Sequence, residues 1–195
     1  MTHSDIPLTD LGQRQAHAVA ELLPQRPSQL LCSTFLRTQQ TAAPYAQKVG
    51  IAPSHHALLH EFNMLAPDRI AGMTQTQRKP LVEAYWQAAD PHVRTGQDAE
   101  SFNEFASRVD TFMQTDLRTL PDQSVLFGHG TWLALMIWRI MGFDAQSSND
   151  MQDFRGVQLG LPMPNCAIYR LQESLPNHWQ VKVDAVAMNT VRAVA

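Results

Sequence analysis

The stretch S-V-L-F-G-H-G-T-W-L-A-L-M-I-W-R-I-M-G, residues 124–142, decides the fold. It opens with a short apolar run that stops at Gly128, the pattern of a strand buried on both faces. The residues from Thr131 onward then read as an apolar helix ended by Gly142. Strand, turn and helix, with His129 at the tip of the turn, form the repeating unit of a parallel α/β sheet, whose functional groups gather at the carboxyl ends of the strands. The run from Trp132 to Met141 is interrupted by Arg139 and is too short for the roughly twenty residues that span a bilayer, so it reads as a core helix.

The same alternation continues on both sides. Thr9 is a good N-cap for a helix whose apolar face is Leu11, Ala16, Val19, Ala20, Leu22 and Leu23, ending near Pro24. Q-L-L-C-S follows as a buried strand. A second helix begins at Ser33 or Thr34 and runs to Gly50, and Pro44, which has no amide hydrogen, is expected to kink or restart it. A weak strand is expected over residues 57–60. Phe102, Phe105, Ala106, Val109, Phe112 and Met113 fall at helical intervals and form a core face. C-A-I-Y-R-L and W-Q-V-K-V-D-A-V read as two closing strands. The sum is one domain over residues 1–195, a three-layer α/β/α sandwich with a mostly parallel sheet. Residues 62–97, punctuated by Pro67, Gly72, Pro80, Pro91 and Gly96, read as a helical or loop insertion over a site.

Composition narrows the function. A chain of 195 residues can bury a large core, and 44% hydrophobic with 17% charged residues is globular. Fifteen Lys plus Arg against eighteen Asp plus Glu leave a net charge of −3, which excludes a generic basic module for nucleic acid or for an anionic membrane. Cys32 and Cys166 are too few for a disulfide framework or a cysteine zinc site and read as plain buried thiols. The opening M-T-H-S-D-I-P lacks a basic segment followed by an apolar one, so no signal peptide is expected and the location implied is cytoplasmic. Nothing in the sequence speaks to oligomeric state.

Five segments carry a family resemblance. They are D-I-P-L-T-D-L-G-Q-R-Q-A at residues 5–16, S-T-F-L-R-T-Q-Q-T-A at 33–42, E-S-F-N-E-F-A-S-R-V at 100–109, F-G-H-G at 127–130 and P-N-C-A-I at 164–168. In this order and spacing the chain resembles the histidine phosphatase superfamily, also called phosphoglycerate mutase-like. The resemblance implies a metal-independent and cofactor-free phosphomonoesterase acting on small phosphorylated metabolites through a phosphohistidine. It assigns Arg37 to grip the phosphate, His129 to hydrogen-bond the phosphoryl group through transfer, and Glu61, after the third family strand, to protonate the leaving group and then activate water.

Physical chemistry points to the same residues. Phosphoryl transfer needs cations and donors around the equatorial oxygens, an in-line nucleophile, and an acid for the leaving oxygen. Arg37, in the first turn of a helix after a strand, can offer its planar fork to a phosphate, although a surface arginine is the plain alternative. His129, flanked by Gly128 and Gly130, can project into a cleft; a satisfied core or loop histidine is its alternative. Glu61 in L-L-H-E-F needs a raised pKa, which burial near Phe62 and Met64 would supply and a nearby arginine oppose, the alternative being a solvated carboxylate. His55, His56 and His60 lie close by, and the spacing of His56 and His60 would suit two metal ligands on a helix, but the segment reads as a strand with no third ligand, so no metal is expected. Arg69, Arg78 and Lys79 could reach a second anionic group, with a solvated surface as their simpler role.

One family element is absent from the sequence. The superfamily's first strand ends in R-H-G, whose histidine attacks phosphorus, and no R-H-G occurs here. The expectation is therefore a chain that starts inside a longer gene and is nearly inert as written. A non-catalytic phosphate-binding or regulatory relative is the alternative, and a mutase a less supported one. His3 is too close to the P-L-T turn to match the nucleophile's spacing. In the family the missing strand lies beside the one ending in F-G-H-G, so its loss would bare two strand edges.

Overall fold

The computed structural model describes residues 3–194. Three strands form a parallel sheet in the order β2-β1-β3: β1 is Gln29–Cys32, β2 Ser54–His55 and β3 Ser124–Phe127. Side chains alternate across β1 and β3, as the two-residue period of a strand requires. Leu30, Cys32, Val125 and Phe127 pack to one face with Ala42 and Tyr45, while Leu31 and Leu126 face the larger cluster that contains Phe105, Phe112 and Trp132. Both faces are therefore covered, which makes the three layers.

On the first face lie α1 (Asp10–Leu22) and α2 (Leu36–Val49), and on the other α4 (Phe102–Thr115) and α5 (Gly130–Ile140). Thr9 caps α1 by accepting the Gly12 amide, as its sequence position predicts. Ser101 and Glu104 close a reciprocal capping box on α4. Gly142, in left-handed backbone at φ 89°, follows the end of α5. Between the sheet strands, α3 (Gln75–Ala88) is the helix within residues 62–97 and buries Tyr85 and Trp86.

Several local expectations are corrected. α2 runs without a break through Pro44. Residues 57–60 are not a strand: the strand is Ser54–His55, and Ala57–Leu59 form a 3-10 turn, because the paired length ends where His56 donates its amide to the Cys32 carbonyl. The final apolar run is cut short. β5 (His178–Val183) pairs antiparallel with β4 (Tyr169–Leu175), and Asp184 then accepts the Ala187 amide to start α7 (Ala185–Arg192). A further helix, α6 (Ser148–Gly160), was not read from the sequence. Among the described residues β3 pairs only with β1, and β4 only with β5.

Candidate active site

The parallel strands deliver three predicted residues to one edge of the sheet. His129 follows β3 directly, Arg37 is the second residue of α2 after β1, and Glu61 follows the 3-10 turn beyond β2. Arg37 and His129 converge: Arg37 Nη2 lies 3.3 Å from His129 Nδ1. Because a guanidinium can only donate, Nδ1 must accept, and the ring is the neutral tautomer with its hydrogen on Nε2. That hydrogen points at Ser33 Oγ, 2.9 Å away. The geometry thus fixes both the protonation and the orientation of a histidine that is 9% exposed. Burial first, and then the charge of Arg37, hold its pKa down at about 2.

Gly128 and Gly130 are not needed for backbone conformation, since neither has positive φ. Nor does packing within the chain require them, for a Cβ on Gly130 would meet nothing within 4 Å and one on Gly128 only the Trp132 ring at 4.0 Å.

Glu61 is neither solvated nor free. Its carboxylate accepts the amides of Thr131 at 3.2 Å and Trp132 at 3.1 Å, and its own neighbour Phe62 at 2.9 Å. The first two are orphan amides of the first turn of α5, whose N-cap residue His129 provides no side-chain cap. A residue 70 positions upstream therefore caps the helix. Burial pushes the Glu61 pKa up, opposed by the amides and by Arg37. Burial outweighs the amides and the guanidinium, and the net direction is upward, the direction a general acid needs.

His3 belongs to this cluster, which its sequence spacing did not suggest. Its backbone carbonyl accepts from Arg37 Nη1 at 2.9 Å, and its ring stands edge-on to Phe35 at 5.5 Å. Phe35 also touches the rings of His60 and His129, and the Arg37 guanidinium lies 4.8 Å from its centroid. Burial, aided by Arg37 and Arg78, lowers the His3 pKa to about 4. His60, lowered in the same way by burial and Arg108, holds Thr34 Oγ1 at 2.8 Å. Three imidazoles, each with its pKa lowered, consequently pack around the Phe35 ring. Ser33 and Phe35 were not singled out in sequence as site residues, although both lie inside the S-T-F-L-R stretch, and His60 was weighed only as a metal ligand.

A cavity of about 490 Å³ opens from His3, Phe35, His60 and Glu61 toward Arg94, Asp98 and Arg108. Arg37 and His129 do not line it, because the 3-10 turn His3–Asp5 lies over the guanidinium. Arg69, Arg78 and Lys79 do not line the cavity either: Arg69 and Arg78 donate to the carbonyls of Thr95 and Met73, and Lys79 pairs with Glu83. The three neighbouring histidines form no metal site; His56 pairs instead with Asp116 at 2.9 Å, and no group of three metal-binding side chains occurs among the described residues.

Comparison with known proteins completes the picture. The histidine phosphatase superfamily (branch 1) model matches residues 1–183. A probable phosphoglycerate mutase GpmB of Yersinia pestis is 29% identical over 191 residues, covering 92% of this chain and 81% of that protein. Among solved structures, a mycobacterial glucosyl-3-phosphoglycerate phosphatase superposes with a TM-score of 0.68 at 21% identity, covering 94% of this chain and 88% of the other. The alpha-ribazole phosphatase of Shigella flexneri gives 0.67 at 19% identity, with 93% and 85% covered. These structural likenesses show the fold, and among the described residues no helix is long and apolar enough to cross a membrane. With the family model spanning nearly the whole length of the sequence, the chain belongs to the histidine phosphatase superfamily.

Proposed function

We propose that the chain carries the phosphate-gripping and proton-transferring part of a phosphomonoesterase site for small phosphorylated metabolites. The observation that supports this most is the contact of Arg37 Nη2 with His129 Nδ1 at the carboxyl ends of two adjacent parallel strands, with buried Glu61 alongside. Arg37 holds the phosphate once the His3 carbonyl yields its place on Nη1. His129, taking up a proton beside the anion, donates to an equatorial oxygen. Glu61, whose pKa burial raises, gives a proton to the leaving alcohol oxygen and, once ionised, draws a proton from the attacking water.

The nucleophile is the part these residues do not supply. Both nitrogens of His129 are engaged, Nδ1 by Arg37 and Nε2 by Ser33, so no lone pair is free to attack phosphorus. The reading is therefore of a chain that binds phosphate and hydrolyses esters only when a segment ending in R-H-G precedes it. The experiment compares hydrolysis of an aryl phosphate by the 195-residue chain and by a chain extended upstream through an L-x-R-H-G strand. Turnover confined to the extended chain, and lost again in Arg37→Ala, supports the reading. Inactivity of both, with phosphate still bound, supports the second reading, a non-catalytic phosphate binder, which the full engagement of His129 favours.

A further inference from the structure

Beyond Glu61 the cavity changes character. Two guanidiniums line it, and each is already committed to a carboxylate. Arg108 donates from Nε and Nη2 to Glu100 at 2.8 and 2.7 Å, and from Nη1 to the carbonyls of Leu58 and His60 at 3.0 and 2.9 Å. Arg94 forks onto both oxygens of Glu104. Asp98 also lines the cavity and forms no ion pair among the described residues. Between these pairs lie the amides of Asn63 and Gln97, with Asn63 Nδ2 fixed on the Asp98 carbonyl at 2.6 Å. The far end of the cavity thus offers carboxylate and amide oxygens, and no uncommitted cation.

From this arrangement we infer that the alcohol half of the substrate is neutral and rich in hydroxyl groups, a sugar or polyol, and that a second anionic group is refused. The inference rests on the proposed function and refines it at the leaving-group end. Hydroxyls donate to the oxygens of Asp98, Asn63 and Gln97, all of which line the cavity. A carboxylate or second phosphate placed there meets guanidiniums whose charge Glu100 and Glu104 already balance, and stands beside the unpaired charge of Asp98, which costs binding. The cavity, at about 490 Å³, lies in the size range of small-molecule sites.

The test is calorimetric binding to the full 195-residue chain, with inorganic phosphate, glucose 6-phosphate, 3-phosphoglycerate and phosphocholine as probes. The expected result is glucose 6-phosphate at least about tenfold tighter than 3-phosphoglycerate, a gap of about 1.4 kcal/mol. Asp98→Lys, at an exposed position, should close or reverse that gap, and Gln97→Lys serves as the second variant should the first fail to fold. Equal or tighter binding of 3-phosphoglycerate overturns the inference. So does a ratio unmoved by the added lysine, or glucose 6-phosphate no tighter than inorganic phosphate. Phosphocholine binding more tightly than glucose 6-phosphate overturns it in favour of an ammonium group. Failure of inorganic phosphate itself to bind, or binding indifferent to Arg37→Ala, defeats the phosphate-site reading instead and the inference with it.

Discussion

The two ends of the cleft handle positive charge in opposite ways. At the inner end Arg37 touches only neutral partners, the His3 carbonyl and the unprotonated nitrogen of His129. At the outer end Arg94 and Arg108 are each forked onto a glutamate. The difference separates a guanidinium that is waiting for an anion from guanidiniums that already have one. A buried cation held by dipoles keeps its capacity to bind, whereas one locked to a carboxylate has become part of the scaffold.

The largest effect should come from removing the uncompensated charge. Arg37→Ala is expected to weaken inorganic phosphate binding about 10- to 100-fold, the worth of hydrogen bonds to a charged group, by calorimetry. Arg108→Ala should act on the other side of the comparison. It frees half-buried Glu100 and the carbonyls of Leu58 and His60, so urea denaturation should show a stability loss of about 2 to 3 kcal/mol while Arg37 still binds phosphate.

Acid should expose the inner end next. The pKa of His129 is lowered from 6.5 to about 2, so below pH 6.5 the unfolded chain takes up a proton that the folded chain refuses. Stability present above pH 6.5 is therefore lost as pH falls, by about 2 kcal/mol between pH 6.5 and 5 at roughly 1.4 kcal/mol per unit. His129→Gln should flatten that part of the pH–stability curve; an unchanged slope would show that the ring is not held neutral. Glu61 offers a smaller contrast. Glu61→Gln keeps an acceptor for the first amides of α5 and should change stability by less than about 0.5 kcal/mol, while Glu61→Ala removes the cap and should cost about 1 kcal/mol by thermal unfolding. The smallest effect is expected for Arg94→Ala, which breaks an exposed pair and should leave the thermal unfolding midpoint unchanged.

What could be read from sequence was what local chemistry determines. Thr9 and Gly142 mark helix ends by capping and left-handed backbone, and S-V-L-F-G-H-G shows a strand that stops at a turn. Arg37, His129 and Glu61 were found because each follows such a signal or a family motif. α6 was missed because it buries only Met151 and Phe154, too few apolar positions to show a period. The boundary at Asp184 was missed because V-K-V-D-A-V continues apolar through it, and only the side-chain bond to the Ala187 amide reveals a cap. His3 escaped because its role is played by a carbonyl, which every residue has, at a distance of 34 positions from Arg37. Glu61 as a cap for α5 is likewise a tertiary fact, set by where β2 and β3 end and by no local pattern.

The claim that carries the rest is that Arg37 and His129 together receive a phosphate. It is tested most directly by titrating the uniformly labelled chain with inorganic phosphate and following the ring nitrogens of His129 and His3 by NMR. The account predicts a saturable change in which His129 moves from its neutral Nε2-protonated form toward imidazolium while the His3 resonances shift as its carbonyl leaves Arg37, all absent in Arg37→Ala. A His129 ring that stays neutral and unshifted at saturating phosphate, or shifts that persist without Arg37, would contradict it.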